Sequence, residues 1–417
     1  MGPAAVVLAT VVLGHVRVET PKGGKSRVHT ETIVSLAKLD IGEPITFEKL
    51  QRAEKELRSS NLFQNVHVEL LMPPDEAARL MYFEAGATAR ADVAITLEEK
   101  RFWYAFPFGA ASTSNWDAGA VYANVNMFGR AKTLFVTADY GNKTKQAYGL
   151  YRDTTVGGSR FIGLDLSAIG RDDHTPIYQD RQQVNTVDVE QYGGSLVGRL
   201  NWHRDFATLF QYAADHYQIS EDLQSGVDSY VRVEFRYDSR LAEEGVYSGL
   251  LSRLWVEFSD DRLGSNYSYT REMLQGGGWF NAGKLNFSVK GEAGVEYATG
   301  MGGIPFPKQF TLGGTDLRGY IKREFRGDTI ANLQNDMVFP LFPLWSLKLR
   351  GDVFYDAGFC YFRDGGFNAN RDFRQGVGGG IRFYFKQLAI PVIGFDVGYG
   401  IEENAIGYYF SFGLPES

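Results

Sequence analysis

The chain has a single cysteine, Cys360, which excludes an internal disulfide framework and a multi-thiolate metal site. It also lacks any run of about 18 apolar residues, so no segment reads as a membrane-spanning helix. A barrel, which crosses with strands, escapes that test. Lysine and arginine form no stripe and the formal net charge is -7, which argues against a phosphate-neutralising surface and a nucleic-acid partner. Histidine is scarce: His15, His29, His67, His174, His203 and His216 lie far apart in sequence, and no Gly-x-Ser-x-Gly elbow accompanies them. No catalytic, cofactor or metal site is expected, and the chain does not read as an enzyme. The acidic stretch RDDHTPIYQD, residues 171–180, reads as a solvated loop rather than a cation site.

What the sequence does have is glycine (48 residues), tyrosine (23) and phenylalanine (30), a composition suited to many short strands and turns. The 417 residues fall into three parts. Residues 1–14, with GPAAVVLATVVLG, read as a clipped export signal or as the lead-in to the first strand. Residues 15–100 read as a small α/β domain. HVRVE, NVHVELL and ADVAITLEE alternate as strands, while TETIVSLAKL and TFEKLQRAEKELRSSNLF carry apolar positions at helical spacing. Thr46 is placed to cap the second helix, and Ile33, Leu36, Ala37, Leu50, Ala53 and Leu57 are placed to face the sheet. The stretch MPPDEAARLMYFEAGATAR reads as a loop with one helical turn.

Residues 101–417 read as strands to the end. From Leu285 to Tyr297 one face carries Leu285, Phe287, Val289, Val295 and Tyr297, and the other Asn286, Ser288, Lys290, Glu292 and Glu296. Val231, Val233, Phe235 and Tyr237 oppose Arg232, Glu234, Arg236 and Asp238 in the same way. A sandwich would alternate similarly in any one strand, but the count is sixteen, the even number a closed outer-membrane barrel requires. Short connections (FGRAK, NAGK, KQ) contrast with long ones at 170–189, 259–268, 299–329 and 361–373. Closure leaves no unpaired edge in lipid. Trp103, Tyr104, Phe106, Trp279, Phe280, Phe383, Tyr384 and Phe385 fall near strand ends, where aromatic rings suit the headgroup level.

A β-α-α-β-β module before a sixteen-stranded barrel resembles the BamA/TamA superfamily, a POTRA domain followed by a surface-antigen barrel. LDIGEPITFEKLQRAEKELRSSNLFQNVHVEL looks like the POTRA pattern, in which Phe63, Val66 and Val68 would pack the second helix on the sheet. NVNMFGRA, Asn124 to Ala131, is similar to the family's Asn-Leu-Phe-Gly turn, with Met127 in the leucine's place. Within TLGGTDLRGY the four residues Leu317, Arg318, Gly319 and Tyr320 look like the superfamily's Leu-Arg-Gly-Tyr signature, in the long connection after the eleventh barrel strand. FYDAG, Phe354 to Gly358, resembles the motif of the thirteenth strand whose acid meets that arginine.

The resemblance implies a loop folded into the lumen, with Arg318 latched to Asp356 and to Asp336 and Gly319 turning the backbone beside it. Near the end, Gly407, Phe410 and Phe412 match the glycine-aromatic targeting signal of barrel precursors. The implied protein lies in the bacterial outer membrane with its POTRA domain and both termini periplasmic. Its partners would be unfolded outer-membrane or secreted polypeptides, the lipid bilayer and periplasmic accessory proteins, and it would need no cofactor. The implied function is to receive polypeptides at the POTRA domain and insert or export them through the barrel. The alternatives are a passive pore, or the translocator part of a patatin-type lipase fusion.

Overall fold

The structure, a computed structural model, describes residues 10–21, 24–60, 62–76, 88–159, 161–203, 205–220, 222–243, 246–344, 347–385 and 391–413. Most of the lead-in, the centre of the loop proposed after residue 71, the KQ turn and Leu414 lie outside them. The chain divides into two compact units: residues 1–104 with 123–134 and 151–163, and the remainder.

The first unit is built on a three-stranded sheet in the order β1-β3-β2, from β1 (Thr10–Glu19), β2 (Phe63–Leu71) and β3 (Thr88–Glu99). β1 runs parallel to β3 and β2 antiparallel to it. Helices α1 (Thr30–Ala37) and α2 (Phe47–Ser59) cover one face. Thr46 caps α2, its hydroxyl accepting a hydrogen bond from the Lys49 amide at 3.2 Å, with Glu48 in the positive first turn and Arg58 in the last. Ile33, Ala37, Leu50, Ala53, Leu57, Phe63, Val66 and Val68 form one core with Val93, Ile95 and Leu97, and Leu36 packs against it. The three residues assigned to POTRA packing therefore lie inside this core.

Segment 26–28, before α1, is organised by one carboxylate. Glu99 accepts hydrogen bonds from the Ser26 hydroxyl (2.8 Å), the Arg27 amide (2.6 Å) and the Arg27 Nε (2.8 Å). Burial pushes this carboxyl upward, but the bonds from Arg27 and Ser26 outweigh it and hold it below the ordinary range. The NVNMFGRA turn belongs to the same unit. Asn126 closes it by accepting the Ala131 amide (3.0 Å), and the His29 amide donates to the Gly129 carbonyl (2.8 Å).

The sixteen long strands close into an antiparallel barrel. They are β4 (Trp103–Ser112), β5 (Trp116–Met127), β6 (Lys132–Gly141), β7 (Thr144–Asp153), β8 (Ile162–Gln179), β9 (Gln182–Asn201), β10 (Phe206–Ile219) and β11 (Gly226–Asp238). After the short β12 (Leu241–Glu243) come β13 (Val246–Ser259), β14 (Tyr269–Ala282) and β15 (Leu285–Ala298). The connection that follows holds β16 (Phe310–Leu312) and β17 (Phe325–Gly327), and the wall resumes with β18 (Thr329–Leu344), β19 (Leu347–Tyr361), β20 (Phe373–Phe385), β21 (Pro391–Gly400) and β22 (Ala405–Phe412).

The strand faces follow the period-two pattern of the sequence, turned inside out relative to a soluble protein. Val231, Phe235 and Tyr237 are exposed on the outside, while Glu234 opposite them is buried at 5% exposure. In β22, Ile406, Tyr408, Phe410 and Phe412 face out, whereas Ala405 and Tyr409 are buried inward and Gly407 shares their face.

Several sequence expectations change. The long loop expected at 170–189 is instead a continuation of β8 and β9, joined at Asp180 and Arg181, both left-handed (φ 47 and 63), the geometry of a two-residue hairpin turn. His174 is accordingly a strand residue. In the outer part of β9 the alternation is reversed: Val187 and Val189 are buried with Tyr217, Ile219, Tyr267 and Tyr269, while Asp188 and Glu190 on the other face are exposed. The expectation of no helix after residue 101 also fails at α3 (Ala369–Asp372), a single turn capped by the Asn368 side chain. Finally, Trp279 and Tyr384 do not belong to an outer aromatic belt. Trp279 shares the inner face of Arg271 and Met273, and Tyr384 is buried beside Arg350.

Candidate functional site

The connection between β15 and β18 lies within the barrel unit and brings its own apolar residues into the polar lumen. Phe310, Leu312, Leu317 and Tyr320 cluster with Trp255, Met273, Ile330 and Cys360 of the wall. The short β16–β17 ladder narrows the connection into a hairpin. The Cys360 thiol donates to the Phe310 carbonyl at 3.4 Å.

At the hairpin tip Arg318 is 4% exposed and makes a fork against two carboxylates. Its Nε donates to Asp356 Oδ2 at 2.7 Å, its Nη2 to Asp356 Oδ1 at 2.6 Å, and its backbone amide to Asp356 Oδ2 at 3.0 Å. Its Nη1 lies 2.9 Å from Asp336 Oδ1, and its guanidinium carbon lies 3.5 Å from the Phe354 ring centre. Asp336 also meets Lys290 at 3.4 Å and the Ser288 hydroxyl at 3.2 Å. The planar fork and its ring stacking are specific to arginine, since a lysine would offer a single point charge.

The backbone fits as closely as the side chain. Gly319 has φ +109, and a Cβ there would come within 2.4 Å of the Gly400 nitrogen. Its amide donates to the Tyr409 hydroxyl at 2.9 Å, which in turn donates to the Tyr320 carbonyl at 2.9 Å. The Tyr320 hydroxyl bonds to the Gln375 carbonyl at 3.1 Å and to Glu402. A Cβ at Gly376 would stand 1.9 Å from the Arg318 carbonyl oxygen, so the wall can hold no side chain there. Gly358 lies close to β18, where an added Cβ would stand 2.7 Å from the Ala331 carbonyl oxygen.

Arg318, Gly319, Tyr320, Asp336 and Asp356 thus meet at one place. Gly407, Phe410 and Phe412 lie apart from it on β22, with the two phenylalanines facing out and the glycine in. Phe63, Val66 and Val68 belong to the other unit.

The sequence reading missed a second anchor. Lys308 Nζ lies 3.2 Å from Glu257 Oε1, 3.5 Å from Asp228 Oδ2 and 3.6 Å from the Tyr230 ring centre. Tyr269 donates to Asp228 at 2.9 Å, and Arg271 joins Glu257 (3.5 Å) to Glu296 (2.8 Å). It also missed Arg323, whose Nη1 reaches Asp173 Oδ2 on β8 at 2.6 Å. The signal for Lys308 was an isolated cation within the apolar stretch IPFPKQF, opposite acids on the polar faces of β11 and β13. Beside the loop lies a cavity of about 660 Å³ bordered by Phe108, Asp139, Tyr148, Arg171, Thr315 and Lys322. Among the described residues no group of three or more His, Cys, Asp or Glu side chains is placed to hold a metal ion.

A closed antiparallel barrel, apolar outside and charged within, that holds one of its own loops by an arginine fork defines a class of outer-membrane β-barrel. Residues 126–416 match the family model described as the Omp85 superfamily domain, and the chain belongs to that superfamily. Among solved structures it is similar to BamA from Haemophilus ducreyi lacking POTRA domains 1–3, at 13% identity and a TM-score of 0.68, over 96% of this chain and 84% of that one. It is also similar to CdiB from Acinetobacter baumannii (12% identity, TM-score 0.65, 96% and 73% covered) and CdiB from Escherichia coli (11%, 0.55, 99% and 92%). At these identities the likeness is one of fold. No curated protein matches the sequence.

Proposed function

We propose that the chain inserts or exports polypeptides at the bacterial outer membrane, receiving them at its N-terminal module and passing them on through the seam between β4 and β22. The observation that carries this reading is the seam. β22 pairs with β4 at four positions, Tyr409 with Ser112 through Phe412 with Gly109, against eight between β21 and β22. Each missing ladder bond leaves backbone groups on both strand edges ready to pair with an incoming strand.

The module, read as a POTRA domain with both termini periplasmic, offers one such edge of its own. The outer edge of β1 is occupied by residues 42–45, with the Leu13 amide donating to the Glu43 carbonyl (3.0 Å) and the Ile45 amide to the Val11 carbonyl (2.8 Å). β2 stands at the other side of the sheet, where Arg58 of α2 donates to the Val66 carbonyl (2.9 Å) and Glu54 accepts from the Val68 amide (3.4 Å), side-chain bonds that an incoming strand would displace. Beside it runs a groove of about 710 Å³ bordered by Phe47, Leu50, Val68 and Leu70. An extended client would add to β2 and lay alternate side chains in that groove. Arg318 and its carboxylates hold the loop and do no covalent chemistry. The lumen-filling loop favours this reading over a passive pore.

The test is insertion of an unfolded barrel client into liposomes carrying the purified protein. Stimulated client folding that is lost on crosslinking Ala110→Cys to Ser411→Cys supports the reading. An open diffusion pore with no stimulation would replace it with the passive pore.

A further inference from the structure

The lumenal contacts sort by which side of the β4–β22 seam they reach. Arg318 binds Asp336 on β18 and Asp356 on β19. Gly319 and Tyr320 bind Tyr409 on β22, Gln375 on β20 and Glu402 in the β21–β22 turn. All of these belong to the wall that ends in β22. Arg323, five positions further along, turns to the wall that begins with β4. Its partner Asp173 sits on β8 and is shared: Oδ2 also takes Arg171 Nη2 at 2.7 Å, and Oδ1 takes the Thr144 hydroxyl at 3.0 Å. Lys322, facing Asp139 of β6 across the open cavity, adds attraction of the same sense at longer range.

The loop is therefore a brace across the lumen. One end is fixed to β18–β22 and the other to β8, with β4–β7 and the seam between them. A second tie crosses at the barrel mouth, where Arg181 at the tip of the β8–β9 hairpin meets Glu403 at 3.3 Å; Glu403 is itself held to β20 by Arg374 at 3.5 Å. Tension on a brace releases its weaker end. The β18–β22 end has an arginine fork, a backbone amide and two tyrosine hydroxyls, while the β8 end depends on one carboxylate between two guanidiniums. Without that charge Arg171 and Arg323 would face each other as like charges, and the loop would be pushed from β8 rather than merely let go.

We propose that Asp173 is the positioning residue that keeps the seam shut, acting through the loop, and that the Arg318 latch serves chiefly to hold the loop's other end. The inference rests on the reading of a separable seam and deepens it by naming what restrains that seam.

The experiment uses the full chain in lipid nanodiscs, with nitroxide labels at Ala111→Cys and Tyr408→Cys, outward positions on β4 and β22, and pulsed electron-electron distance measurement. Asp173→Asn and Arg323→Ala should each raise the long-distance population at least threefold, the pair together no further, and Arg318→Ala alone by less. Heat-modifiable migration on gels reports whether each variant has folded; if Asp173→Asn does not fold, Arg323→Ala reads the same contact from the loop side. An unchanged distribution in folded Asp173→Asn and Arg323→Ala, or equal widening in Arg318→Ala, overturns the brace. A short distance that persists even in Arg318→Ala/Arg323→Ala overturns the separable seam itself, whereas widening in that double variant without widening in Asp173→Asn overturns the brace alone.

Discussion

Arg318 satisfies two carboxylates at once, so removing it leaves both Asp356 and Asp336 short of a partner in a largely dry site. Leaving one member of a buried pair unmatched costs roughly 3–5 kcal/mol. Arg318→Ala should therefore loosen the loop tip around residues 313–320, seen as new cleavage there in limited proteolysis, while Lys308 and Arg323 still anchor its flanks and unheated protein still migrates as a folded barrel. Arg318→Lys should fall nearer to alanine than to arginine, because an ammonium cannot fill the fork or stack on Phe354. Asp356→Asn should give the same cleavage, and the double variant no more than either change alone. Gly376→Ala offers a test that leaves every charge in place. Its methyl would stand 1.9 Å from the Arg318 carbonyl oxygen, so the loop should be released as in Arg318→Ala. Intact protection of the loop in Gly376→Ala would mean the backbone contact is dispensable.

Single elements differ in how much of them the sequence could show. Strand faces were legible from Leu285–Tyr297 and from the β11 residues, because a wall between lipid and a polar lumen imposes strict alternation. The fork was expected only through the resemblance to superfamily motifs around Arg318, Asp336 and Asp356; residue types alone read Arg318 as a solvated turn residue. Lys308, Asp173 and Arg323 were not legible. Their partners lie 51, 80 or 150 positions away in the chain, and even the isolated Lys308 in its apolar stretch does not say which acid it meets. The β8–β9 hairpin was misread because its outer part turns apolar Val187 and Val189 inward and polar Asp188 and Glu190 outward, the reverse of the strand faces elsewhere in the wall. In the N-terminal module, Glu99 gives a pH-dependent element. Its folded pKa lies below the ordinary value of 4.5, so it stabilises segment 26–28 at neutral pH, and that contribution is lost as pH falls through the lowered folded value. Hydrogen exchange of the Ser26–Val28 amides should accelerate, relative to intrinsic rates, below about pH 4, and Glu99→Gln should show the faster exchange already at pH 7.

At the scale of the whole molecule, three anchors hold the loop to three parts of one wall: Lys308 to β11 and β13, Arg318 to β18 and β19, and Arg323 to β8. A lumen filled in this way should pass little current. In planar bilayers the native protein should show small conductance, and the Lys308→Ala/Arg318→Ala/Arg323→Ala variant a severalfold larger one; equal conductance would mean the loop does not obstruct the lumen. Tyr409 carries a consequence of a different kind. It belongs to the last strand, yet its hydroxyl is sandwiched between the Gly319 amide and the Tyr320 carbonyl of the loop. A final strand that grips the loop has a partner besides its two neighbours in the wall, so the contents of the lumen and the closing strand hold one another in place: losing the loop would cost β22 a contact that its short pairing with β4 does not replace.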